Sequence, residues 1–187
     1  MIWKGGFERA EIVGEVYEDV VRALRRWEQD GVRVAIYSSG SVAAQKLLFA
    51  HSNRGDLTPH ISANFDTTSG HKREPKSYET ISAQLGVDSA SSVCFFTDIY
   101  EEAAAAAAAG MSACILVRPG NAPLPSPDSP CPFPVIRSFD ELSGKDAREP
   151  RVAPGQEAAG HVATKEDVEP AAAGNGPGAE EDGAEAE

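Results

Sequence analysis

The sequence predicts an α/β domain built on a parallel sheet. Short, β-rich runs alternate with helical segments at spacings that suit crossover connections. The strongest runs are apolar along their length rather than alternating, as expected of strands covered on both faces. Two of them close on small polar or acidic residues, Ser38-Ser39 and Thr97-Asp98.

Residues 15–30 read as an amphipathic helix. Val16, Val20, Leu24 and Trp27 fall at i, i+4, i+8 and i+11, and Gly31 suits the position just past its end. Residues 32–37 (VRVAIY) form a short apolar strand, and 41–50 return to helix. A weaker strand covers 61–67. Residues 75–85 are helical, with Tyr78, Ile81 and Leu85 on one face and Gly86 ending the segment. Residues 93–96 (VCFF) give the strongest strand signal, and it ends at Thr97-Asp98. The alanine-rich run 101–109 is helical on propensity alone and stops at Gly110. Residues 113–117 make a strand, followed by the turn Arg118-Pro119-Gly120-Asn121. Val135-Ile136 reads as a last short strand, and Ser138 with Glu141 as a capping box for a final short helix. Residues 123–134 read as an irregular loop.

The periodicity stops near Ser143. Beyond it Pro, Gly, Ala and Glu dominate and aromatic residues are absent. Such a segment buries too little apolar area to offset a backbone entropy of roughly 1–2 kcal/mol per residue. The expected organisation is a folded domain over 1–142 and a disordered acidic tail over 143–187. The chain has 187 residues and a formal net charge of −12, which argues against nucleic acid as a main partner because phosphate neutralisation needs a basic face, although much of the acidity lies in the tail. Cys94 and Cys114 lie in apolar runs and, with Cys131, form no paired-cysteine motif, which suits a reducing compartment. Lys4, Glu8 and Glu11 interrupt any apolar leader, and no apolar stretch is long enough to span a bilayer. The expectation is a cytoplasmic protein, with the nucleus also open, that binds neither membrane nor nucleic acid.

Three places carry candidate chemistry. Ser38, Ser39, Gly40 and Ser41 lie where a strand meets a helix N-terminus, which offers hydroxyls and free N–H groups to a phosphate. Taken alone, they read first as a serine N-cap with a glycine turn. No GxSxG or P-loop pattern surrounds them. Lys72 precedes a helix and suits charge screening between a phosphate and a carboxylate, or plain solvation in a polar loop. Asp98 follows the most apolar strand, where ligands gather in open α/β sheets. It reads as a Mg²⁺ ligand or as the N-cap of the next helix. Glu101 and Glu102 support such an ion or favour the helix N-terminus. The four histidines have no metal-ligand spacing.

The order strand-Ser-Ser, Lys before a helix, strand-Thr-Asp resembles motifs two to four of the haloacid dehalogenase superfamily. Longer runs resemble one of its members, enolase-phosphatase or acireductone synthase. They are Trp3-Lys4-Gly5-Gly6-Phe7, Ile36-Tyr37-Ser38-Ser39-Gly40-Ser41, Gln45-Lys46-Leu47-Leu48-Phe49, Phe65-Asp66-Thr67, Gly70-His71-Lys72, Phe96-Thr97-Asp98 and Val117-Arg118-Pro119-Gly120-Asn121. The similarity covers about Ile2 to Leu142. It implies a Rossmann-like parallel sheet, Mg²⁺ as cofactor, and a diketo-methylthiopentyl phosphate of methionine salvage as substrate. By motif, Ser38 and Ser39 bind substrate oxygens, Lys72 is catalytic and phosphate-binding, and Asp98 binds the metal. The family's first motif, an Asp nucleophile with a Glu two residues on, has no match here. The resemblance therefore implies a domain lacking its first central strand and most of its helical cap, monomeric and inactive on its own. A non-catalytic fragment or binding partner, and another small-molecule phosphatase of the superfamily, are the rival readings.

Overall fold

The computed structural model describes residues 5–7, 12–124 and 131–142. The acidic tail and part of the proline-rich loop lie outside them. Helix α1 spans Glu18–Gln29. It ends in paired bonds that close its last turn, from Gly31 N–H to the Glu28 carbonyl at 3.1 Å and from Val32 N–H to the Trp27 carbonyl at 2.7 Å. Gly31 has φ +71°, the left-handed conformation that this ending requires. Val32 is thereby used in the cap. Strand β1 is accordingly Ala35–Tyr37, three residues shorter at its start than the apolar run suggested.

Helix α2 (Val42–Ala50) follows, capped by the Ser41 hydroxyl, which accepts from Ala44 N–H at 3.3 Å. Next come β2 (Ala63–Phe65), α3 (Pro75–Leu85), β3 (Cys94–Thr97) and α4 (Tyr100–Ala108). Strands β4 (Ser112–Leu116) and β5 (Val135–Ile136) complete the set. Helix α3 matches the sequence reading residue for residue, with Pro75 in its first turn and Gly86 left-handed at its end. Ser138 and Glu141 form the expected capping box, over one 3₁₀ turn, Phe139–Glu141.

All strand pairs are parallel. β1 pairs with β2, and β3–β4–β5 form a separate sheet. β1 and β3 do not pair with each other. Each keeps one edge with no strand partner among the described residues. The three-stranded sheet has a core on both faces. Cys94, Phe96, Cys114 and Leu116 point toward Leu24 and Trp27 of α1. Phe95, Ala113 and Ile115 point toward Tyr78 and Ile81 of α3 and Ala103 and Ala106 of α4. This is the period-two alternation of a sheet between two helical layers. The cysteines are free thiols. Burial pushes Cys94 up to about 12 and Cys114 up to about 11. Among the described residues, no helix is long and apolar enough to cross a membrane.

Candidate active site

Lys72 is the best-held of the sequence candidates. Its ammonium donates to Glu102 Oε2 at 2.5 Å, and it lies 5.7 Å from the Tyr37 ring centroid and 5.8 Å from that of Phe95. The Lys72 side chain is 22% exposed and that of Glu102 only 7%, so the solvated-loop reading does not describe it. Glu102 Oε2 also accepts from Thr97 Oγ1 at 2.7 Å. A buried carboxylate with both a cation and a hydroxyl is satisfied; without them its desolvation would be costly.

Two phenols position the loop that carries Lys72. Tyr37 donates to the Gly70 carbonyl at 2.9 Å and Tyr78 to the Lys72 carbonyl at 2.6 Å. Burial, then the Glu102 charge, raises the pKa of both hydroxyls, which keeps them protonated as donors. Their rings meet edge to face at 5.7 Å, and Tyr78 meets Phe95 the same way at 5.0 Å. Gly70 has φ +123°, and a Cβ there would lie 2.8 Å from Ser77 Cβ. Only glycine brings the loop this close to α3.

Asp98 lies one residue past β3 and is exposed, so it carries no burial penalty. Nor does it cap α4, whose N-cap is Ile99 without a side-chain bond. Its Oδ2 accepts from Asn121 Nδ2 at 2.8 Å, and its Oδ1 has no partner among the described residues. Ser38 is half-buried, with its hydroxyl 3.4 Å from the Gly40 carbonyl, while Ser39 is exposed and its hydroxyl has no partner among the described residues. The helix N-terminus behind them is partly occupied. Asp66 Oδ2 accepts from Val42 N–H at 3.1 Å, and Ser41 takes Ala44 N–H. Two of the helix-start donors that the sequence reading offered to a phosphate, the Val42 and Ala44 N–H groups, are therefore used by the chain itself.

The structure thus links the candidates through shared neighbours. Ser38 follows Tyr37, which lies under Lys72; Lys72 and Thr97 share Glu102; Asp98 follows Thr97. Glu102 was left between two roles by the sequence. Its position four residues before the fully buried Ala106, on the inner face of α4, was the available signal. A hollow of about 600 Å³ against α2, lined by Lys46, Leu47, Phe49 and Ile61 among others, shares no residue with this site. No cluster of three or more His, Cys, Asp or Glu among the described residues is placed to hold a metal. Mg²⁺ needs less, since it is commonly held by one or two carboxylates together with water and substrate phosphate. Asp98 Oδ1, without a partner among the described residues, fits that requirement.

The model of the haloacid dehalogenase-like hydrolase family matches residues 4–110. The chain belongs to that family. Within these hydrolases, Enolase-phosphatase E1 of Drosophila mojavensis is 51% identical over 141 residues, covering 75% of this chain and 56% of that protein. Enolase-phosphatase E1 of Drosophila grimshawi is 56% identical over 124 residues, covering 66% and 50%. A probable bifunctional methylthioribulose-1-phosphate dehydratase/enolase-phosphatase E1 of Arabidopsis thaliana is 50% identical over 141 residues, covering 75% and 27%. The chain therefore spans about half, or less, of the curated relatives it matches. The crystal structure of UTR4 protein from Saccharomyces cerevisiae superposes with a TM-score of 0.66 at 37% identity, covering 75% of this chain and 63% of that one. A crystallised dehalogenase at 23% identity and TM-score 0.57 shares the fold.

Proposed function

We propose that this chain is the phosphate-handling part of an enolase-phosphatase. Its substrate is a diketo-methylthiopentyl phosphate of methionine salvage, which is enolised and then dephosphorylated to the acireductone. The observation that carries this reading is the buried Lys72–Glu102 pair beside Asp98, inside a segment half identical to Enolase-phosphatase E1 proteins. Lys72 presents its cation to the transferred phosphoryl group, and Glu102 and Thr97 fix where that cation lies. Ser38 and Ser39 hold substrate oxygens at the end of β1. Asp98 would hold Mg²⁺, which would supply charge neutralisation at the phosphoryl oxygens when bound. In this reading the protein is a cytoplasmic or nuclear monomer.

A carboxylate nucleophile is the missing member. Among the described acids, Glu102 is bound by Lys72 and Thr97, and Asp66 by Thr68 and Val42. The resemblance puts the nucleophile on a strand between β1 and β3. The two unpartnered edges of those strands support that placement. The chain alone is therefore inactive, since no covalent phosphoenzyme forms without the nucleophile. The test assays the chain with Mg²⁺ and the diketo phosphate, alone and fused to a family-type strand bearing the Asp and Glu, with the cap. The fusion is expected to turn over and its Asp98→Asn form to lose nearly all activity. Turnover by the chain alone at about 1–10³ s⁻¹ would overturn the reading. So would full activity in the Asp98→Asn fusion.

A further inference from the structure

We propose that Asn121 is a positioning residue that makes Asp98 a one-oxygen metal ligand, and so selects Mg²⁺ over Ca²⁺. The inference rests on the assignment of Asp98 to the metal. Asn121 closes the turn that begins at Arg118, with its own N–H on the Arg118 carbonyl at 3.1 Å and Gly120 at φ +91°. Its side-chain oxygen accepts from Arg118 N–H at 2.5 Å. That bond settles which end of the amide faces which way, because only Oδ1 can accept. Nδ2 is left to donate to Asp98 Oδ2 at 2.8 Å.

The turn itself is anchored. The Arg118 guanidinium donates to Asp19 Oδ2 at 2.6 Å and to the Arg137 carbonyl at 2.8 Å, and stacks 4.5 Å above the Tyr17 ring. The amide therefore meets Asp98 from a fixed support. The bond ties Oδ2 to the turn and takes one of its lone pairs, leaving Oδ1 as the oxygen without a partner among the described residues. Ca²⁺ takes about six to eight oxygens and readily uses both oxygens of one carboxylate, while Mg²⁺ takes single oxygens in an octahedron at about 2.0–2.1 Å. An Asp98 held to one oxygen suits the smaller ion and deprives the larger of its chelate.

Calorimetric titration of the chain with Mg²⁺ and, separately, Ca²⁺ tests this. The unaltered chain is expected to prefer Mg²⁺. In Asn121→Ala the ratio of Ca²⁺ to Mg²⁺ affinity should rise by about 10-fold or more, the scale on which outer ligand partners act. Asn121→Asp keeps the acceptor for Arg118 N–H, and with it the turn, but loses the donor; its ratio should move the same way. In the unaltered chain the Asn121 side-chain amide resonance should shift as Mg²⁺ is added. An unchanged ratio in a folded variant, a parallel loss for both ions, or an unmoved amide would overturn the role of Asn121. If Asp98→Asn binds Mg²⁺ as the unaltered chain does, or the chain binds neither ion, the Asp98 assignment fails and the inference falls with it.

Discussion

Glu102 is the residue on which Lys72 depends. It sits 30 residues away in sequence and its side chain is 7% exposed. Glu102→Ala leaves the Lys72 cation against Tyr37 and Phe95 with no counter-charge. Removing one member of a buried pair costs about 3–5 kcal/mol, and the lower end applies because Lys72 keeps a fifth of its surface in water. Glu102→Gln retains an acceptor for the Thr97 hydroxyl and should lose less. Urea denaturation of the three forms should give the order unaltered, Gln, Ala. Equal midpoints for all three would mean that the pair is not formed in solution. At this scale the sequence was only half readable. Lysine before a helix says nothing of burial, which comes from Tyr37, Phe95 and Glu102 on three separate elements. Asp98 was found by its place after a strand, but the partner that fixes its orientation, Asn121, lies 23 residues on.

Elements with local signals were readable, and those defined by tertiary pairing were less so. Helix α3 carries its own start and stop, Pro75 and Gly86, and was read to the residue. Strand β1 was overextended because Val32 has the composition of a strand residue but closes the end of α1. Gly31 just past the helix end already places Val32 where its N–H closes the helix, a local signal that the apolar composition of the run outweighed in the reading. The split between the β1–β2 and β3–β4–β5 sheets is likewise set by which edges meet, not by any single run. Between β2 and α3, Gly70 is the hinge on which the Lys72 loop turns. Its φ of +123° with ψ −175° lies in a region that essentially only glycine occupies. Gly70→Ala should cost about 1–3 kcal/mol in strain. The Ser77 Cβ, 2.8 Å from the added methyl, forces the loop outward. Thermal unfolding should show the loss, and fluorescence of Tyr78 should report its exposure. An unshifted melt would show that the loop adapts freely.

At the scale of the whole domain, Asp19 fastens helix α1 to the last described segment. Its Oδ2 accepts from Arg118 Nη2 at 2.6 Å, from Phe139 N–H at 2.8 Å and from Ser138 Oγ at 3.0 Å. Burial works to raise its pKa, but the Arg118, Phe139 and Ser138 bonds together hold it below the ordinary carboxylate value of 3.8. A lowered folded pKa means that the ionised form stabilises the fold. That contribution is complete above the ordinary value and drains away as pH falls through the lower one. The unaltered chain should therefore lose melting temperature in acid faster than Asp19→Asn, and the gap between them should close below about pH 4. Parallel curves would place the acid sensitivity elsewhere. The alanines of α4 have a consequence of a different kind. Ala103 and Ala106 are completely buried between helix and sheet. With a single methyl as the spacer, the helix axis sits at the shortest clearance that side chains other than glycine allow. Interiors this dense relax only partly when a side chain grows. The helix is thus a calibrated shim: its thickness sets how far the carboxylate at its start reaches toward the ammonium. A larger residue at either alanine would detune the charge geometry of the site without touching one charged atom.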